Sequence, residues 1–147
     1  MKNLLHAAAA EVREQAAGQH VVVSPHHVTV AAAAEPTGII AVAGYPTGRH
    51  HSLIKASEAR LAIQSGADEV WVSIDATLVD GSPILSELIT IREACPEPAR
   101  VGLILPETEP ARTLAETAAA QAGFQRLVIE KGSELKSSLP ILEFPTA

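Results

Sequence analysis

The chain has 147 residues, 47% of them hydrophobic and only 3% aromatic, which suits one domain with a core of small side chains. Eleven basic residues against 17 acidic ones leave a net charge of −6, which argues against general binding to nucleic acid or to an anionic membrane surface. A lone cysteine, Cys95, excludes an internal disulfide and any CxxC metal or redox motif.

The amino-terminal stretch MKNLLHAAAAEVREQ is broken by His6, Glu11 and Arg13, so it lacks the continuous apolar region of a signal peptide. No apolar run reaches the ~18 residues that span a bilayer. The expectation is a cytoplasmic protein with no membrane partner and no cofactor. Asn3 to Ala17 reads as an alanine-rich helix capped by Asn3 and ended by Gly18. His20 to Ser24 is a valine-rich strand stopped by Pro25, and its lack of alternation points to burial on both faces, as in a parallel sheet. His26 to Glu35 reads as a short helix. Gly38 to Ala43 is the next strand.

A turn of Gly44, Tyr45, Pro46, Thr47 and Gly48 follows, then His50 and His51, then a helix with Ser52 as its expected N-cap and Gly66 as its end. Leu53, Ala56, Ala59 and Ile63 form the apolar stripe of that helix. Further strands are expected at Glu69–Asp75, Val101–Leu105 and Arg126–Ile129, and further helices at Pro83–Ala94 and Pro110–Ala122. The tail from Leu139 to Ala147 has no clear period. The alternation of helix and strand is that of a parallel α/β sheet or barrel. A complete (β/α)8 barrel takes ~250 residues, so room exists here for only five or six strands, as an open sheet or an incomplete TIM barrel in a single domain.

Three stretches, in consistent order between residues 20 and 132, resemble the deoxyribose-phosphate aldolases: VVVSP at 21–25; GYPTGRHHSLIKASEAR at 44–60 running on through GADEV; and, more weakly, VGLILPE at 101–107 with AAAQAGFQRLVIEKG at 118–132. The resemblance implies a class I aldolase on a TIM barrel. Such chemistry needs a neutral lysine amine to form a Schiff base, a second lysine to depress its pKa, and an aspartate to relay protons. Carried over position by position, the Schiff-base lysine falls on Val128, the aspartate on Trp71 and the second lysine on Gly102. The family's first strand and its phosphate-binding last strands have no evident counterpart.

Trp71, Ser73 and Asp75 share one face of their strand. The resemblance makes that face the barrel interior, so Trp71 is expected to fill the volume otherwise given to substrate and lysines. The reading is a catalytically degenerate aldolase-like protein. Two alternatives stay open. One is an active lyase with relocated residues, Lys131 with Asp75 or Glu130. The other is a metal- or anion-binding protein. His26, His27, His50, His51, Asp75 and Glu107 all follow strands on the side where barrel sites form and could ligate a divalent ion. Gly48, Arg49 and Ser52 could hold a small phosphorylated or anionic ligand at a helix start. Lys55 reads as a solvated surface lysine and Cys95 as an inert helix residue. The exposed strand edges of an incomplete barrel predict a homo-oligomer, specifically a dimer.

Overall fold

The computed structural model describes residues 1–130 and 132–146. Seven parallel strands lie side by side in chain order: β1 Lys2–Asn3, β2 His20–Val23, β3 Gly38–Ala43, β4 Glu69–Ser73, β5 Arg100–Ile104, β6 Arg126–Ile129 and β7 Ile141–Glu143. The helices between them are α1 Ala9–Gln15, α2 Val28–Ala33, α3 Ser52–Ser65, α4 Gly81–Ala94 and α5 Ala111–Ala122, and a 3-10 turn at Pro25–His27 leads into α2. Right-handed crossovers that always step the same way put every helix on one face. There Val21, Val72 and Leu103 of the strands pack with Ala59, Leu88 and Ala115 of the helices.

The opposite, concave face holds a separate cluster of Leu5, Val22, Ile40, Val42, Trp71 and Val128, with Tyr45, Ile104, Leu142 and Phe144 against it. A sheet with helices outside and a side-chain core inside is an incomplete TIM barrel, as the alternation implies. Among the described residues no helix is long and apolar enough to cross a membrane.

Two strands exceed the expected number, and both lie at the ends. Asn3 to Ala17 is not one helix: Lys2 and Asn3 pair with Val21 and Val22, and Leu4 continues the pairing by donating to the Val22 carbonyl at 2.8 Å. Leu4 packs into the helix-side core and Leu5 into the inner cluster, the opposite-face alternation of a strand. Thus a first strand is present, and Asn3 caps nothing. Its side chain accepts from the Leu5 amide at 3.0 Å and donates to the Pro145 carbonyl at 2.9 Å, bridging the two ends of the curled sheet. In the tail, Ile141 faces the helices while Leu142 and Phe144 face inward.

Ser52 is not the cap of α3. His51 takes that place, its Nδ1 accepting from the Leu53 amide at 3.1 Å, and Ser52 starts the helix proper with its hydroxyl donating to Glu87 at 2.8 Å. Helix α4 starts two residues before Pro83, capped by the Asp80 carboxylate, which accepts from the Ser82 amide.

Trp71 is fully buried at the centre of the inner cluster. It pairs in register with Gly102, and its indole N–H donates to Glu69 Oε2 at 2.6 Å. The same carboxylate oxygen lies 3.4 Å from Arg126 Nε, so the amino end of the interior is sealed by an ion pair beneath the indole. Phe144 meets Trp71 edge-on at 5.5 Å between centroids. A Cβ on Gly102 would stand 2.8 Å from Trp71 Cδ1, so only glycine leaves room for the ring. Gly102→Ala is therefore expected to lower the unfolding free energy by about 1–3 kcal/mol, the usual cost of overpacking a filled core, measured by urea denaturation.

Candidate functional site

The stretch from Gly44 to Arg60 forms the β3–α3 connection at the carboxyl end of the strands, where sites on parallel sheets form. Its geometry is set by Lys55. Residue type alone suggests a solvated lysine, but the side chain is 1% exposed. Its Nζ donates to the Gly48 carbonyl at 2.6 Å, the Ser73 carbonyl at 3.1 Å and Glu87 Oε2 at 2.8 Å. The cause is helical spacing: Lys55, Ala59 and Ala62 lie on one stripe of α3, and that stripe is buried. Glu58 accepts from the Gly44 amide at 3.0 Å, fixing the other end of the turn. Gly48 has φ +66°, and a Cβ there would run into the Ile74 backbone, so the glycine serves close packing of the turn on the segment after β4.

The expected ligand-binding residues are thereby distributed. Gly48, Arg49 and Ser52 do border one cleft, of about 350 Å³, but Asp75 and Glu87 border it too. Arg49 Nε faces Asp75 at 3.7 Å and Ser52 is bonded to Glu87, so the groups that could attract an anion are already matched by carboxylates. Asp75 also accepts from the Thr77 hydroxyl at 2.6 Å and the Thr77 amide at 2.9 Å. These bonds, with help from Arg49 and Lys55, hold its carboxyl below the ordinary range.

His26 stacks on His27 with centroids 3.8 Å apart, and burial followed by the neighbouring His26 lowers the His27 pKa. His51 caps α3, and His50 borders the clefts on either side of the turn. Among the described residues no three His, Cys, Asp or Glu side chains come together in a way that could hold a metal ion. Lys131 lies outside the described residues.

The largest opening at the mouth is a cleft of about 600 Å³ bordered by Tyr45, Ser73, Glu107, Glu130 and Phe144. Tyr45 and Phe144 stack at 5.5 Å with 18° between their planes. Ser73 is 4% exposed and its hydroxyl has no hydrogen-bond partner among the described residues. Interaction with the neighbouring Glu107 carboxyl, through hydrogen bonding and then through its negative charge, pushes the Glu130 pKa up. Of this set Glu107 and Glu130 are legible in the sequence as polar positions after strands, and Ser73 as a polar position on the Trp71 face of its strand. Tyr45 and Phe144 are distant in the chain and meet only through the closing tail.

No protein-family model matches the chain. A deoxyribose-phosphate aldolase of Corynebacterium jeikeium is 49% identical over 92 residues, covering 58% of this chain and 36% of the relative. The enzyme of that name from Corynebacterium glutamicum is 46% identical over 83 residues, covering 53% of this chain and 37% of the relative. The chain is a divergent relative of the deoxyribose-phosphate aldolases. Each match spans little more than a third of the curated relative. Among solved structures, the tetrameric deoxyribose phosphate aldolase of Aeropyrum pernix superposes with a TM-score of 0.75 at 21% identity, covering 92% of this chain and 64% of that one. An aldolase designated QR15 superposes with a TM-score of 0.71 at 22% identity, over 88% of this chain and 64% of its own. At these identities the structures speak for the fold.

In this aldolase relative the three positions named from the resemblance all face the inner cluster or its mouth. Trp71 and Val128 belong to the cluster, and Gly102 lies against the indole. Lys55, by contrast, points toward α4 and spends its protons on two carbonyls and a carboxylate. Removing one partner of a buried pair leaves the other charge uncompensated, at a cost of about 3–5 kcal/mol. Lys55→Ala is expected to show a loss of that order by urea denaturation, whereas Lys2→Ala, at an exposed position, should leave stability within about 0.5 kcal/mol of the parent. Cys95 is buried, and its thiol pKa is raised by that burial. It should resist a thiol-disulfide reagent in the native protein at pH 8 and react fully once urea unfolds the chain.

Proposed function

We propose that this chain is an aldolase-like protein that does not carry out the deoxyribose-phosphate lyase reaction and serves instead in binding or assembly. The observation that carries this reading is Trp71. Its indole is fully buried in the space between β3 and β5, hydrogen-bonded to Glu69 and packed against Gly102 and Phe144. A Schiff-base mechanism needs a lysine amine that is neutral near pH 7 and reaches the substrate carbonyl. Val128, at the position matched to that lysine, offers no amine. The Lys55 amine is engaged by Glu87 and two carbonyls and lies away from the inner cluster.

Among the described residues, the placement of Asp75 does not favour relocated chemistry. Asp75 is tied to Thr77 and Arg49 on the far side of the turn from the main cleft. An anionic substrate also meets carboxylates at both clefts described above. The protein is further proposed to act as a homo-oligomer, a dimer, in the cytoplasm. In support, α3 leaves Leu53, Ile54 and Leu61 exposed on its surface, and β1 meets the segment after β7 through a side-chain bond from Asn3 to Pro145.

Incubation with 2-deoxyribose 5-phosphate or acetaldehyde, followed by borohydride reduction and intact mass analysis, is expected to give no covalent adduct, and acetaldehyde release should match the protein-free blank. An adduct on any lysine, Lys131 included, would overturn the reading. Light scattering is expected to give twice the mass of the chain.

A further inference from the structure

Residues 139–146 are fastened to the molecule differently from the strands before them. Every earlier connection between neighbouring strands carries a helix, whereas the one from β6 to β7 carries none among the described residues. Parallel strands rely on such helices to cover their outer face. Here Ile141, with Leu135 and Leu139 of the connection, is only partly buried against the helix-side core. No residue of β7 is fully buried, while β4 is buried throughout. Strand β7 pairs with β6 alone. On that side the Phe144 amide donates to the Ile129 carbonyl at 2.8 Å and the Leu127 amide to the Pro140 carbonyl at 2.9 Å. On the other side Asn3 Nδ2 reaches the Pro145 carbonyl at 2.9 Å.

Inward, Leu142 and Phe144 pack on the inner cluster, and the Phe144 ring meets both Tyr45 and Trp71 at 5.5 Å. Trp71 does not need this segment to stay in place. Its indole N–H is bonded within β4 to Glu69, and Glu69 is paired with Arg126 of β6. The ladders that join β2 through β6 likewise lie outside the segment. The free energy of local opening follows the buried contacts and paired neighbours of a segment, and both are fewest here. We propose that residues 139–146 form a strap that detaches as a unit from β6, Asn3 and Trp71 while β2 to β6 and their helices stay folded. Detachment lifts Phe144 off the indole and opens the inner face of the sheet at Trp71 and Val128. The strap therefore controls entry to the barrel interior, and it does so whether or not any lyase activity remains.

Native-state amide exchange of the full chain, read residue by residue in low urea, tests the strap. The Phe144 and Leu127 amides lie across the β6–β7 ladder. Gln125 donates instead to the Val101 carbonyl of β5, and Leu105 to the Val128 carbonyl. Phe144 and Leu127 are expected to be protected at least about a hundredfold less than Gln125 and Leu105. They should share one opening equilibrium with a shallow urea dependence, because little surface is exposed. Asn3→Asp keeps an oxygen for the Leu5 amide and removes the donor to Pro145. It should speed exchange at Phe144 and Leu127 about fivefold, the worth of one hydrogen bond, and leave Gln125 and Leu105 unchanged. Val128→Cys places a thiol on the inner face beside Leu142. That thiol should react with a thiol-disulfide reagent at least about tenfold faster than Cys95, which is buried in the helix-side core of the same molecule. Equal rates for the two thiols would overturn the proposal. So would a Phe144 amide as slow as Gln125 or wholly unprotected, release of Phe144 with Leu127 still protected, or Asn3→Asp speeding all four amides alike.

Discussion

The ammonium group of Lys55 is the constraint on which the upper half of this molecule depends. A lysine charge removed from water costs several kcal/mol unless each proton finds an acceptor. Here the acceptors come from three places in the chain: the turn after β3, the end of β4 and helix α4. Satisfying one charge therefore registers three segments that no run of local sequence could hold together. Gly48 settles against the Ile74 backbone in consequence, and Glu58 fixes the Gly44 amide from the next turn of the same helix. Tyr45, between those two anchors, is delivered to the mouth of the curled sheet.

On the other side of the sheet the organising residue is Trp71. Short strands curled around a common centre leave an interior that must be filled by side chains or lined by polar groups that pair. This chain fills it. The indole takes the middle, glycine at 102 makes room for it, and Phe144 covers it from the tail. The one polar atom of the ring is matched by Glu69, whose charge is in turn matched by Arg126.

The two arrangements meet at the carboxyl end of β4. The carbonyl of Ser73 is bonded to Lys55 on the helix side, while its buried hydroxyl has no partner among the described residues. The backbone there is thus held by the scaffold. The described residues at the mouth border a cleft with acidic and aromatic side chains. The likeness to the deoxyribose-phosphate aldolases lies in the frame, and the side chains that fill it are this chain's own.

Much of the fold is legible in the residues alone. Valine-rich runs punctuated by glycine and proline locate β2 through β6 and the helices α3 to α5, because burial on both faces and helix termination are local properties of the chain. The stretch from Gly44 to Arg60 likewise declares the family, and the order of residues suffices to match Trp71, Gly102 and Val128 to its catalytic positions. The end strands are not legible, since two- and three-residue segments carry no period and are strands only through the neighbours they pair with. Lys55 misleads because its type suggests solvent, although its spacing from Ala59 and Ala62 puts it on the buried stripe. Tertiary structure alone decides that Asn3 reaches Pro145, that Tyr45 stacks on Phe144 and that Glu107 and Glu130 border one cleft. Each of these joins residues from separate strand ends, and only the curling of the sheet brings those ends to one mouth.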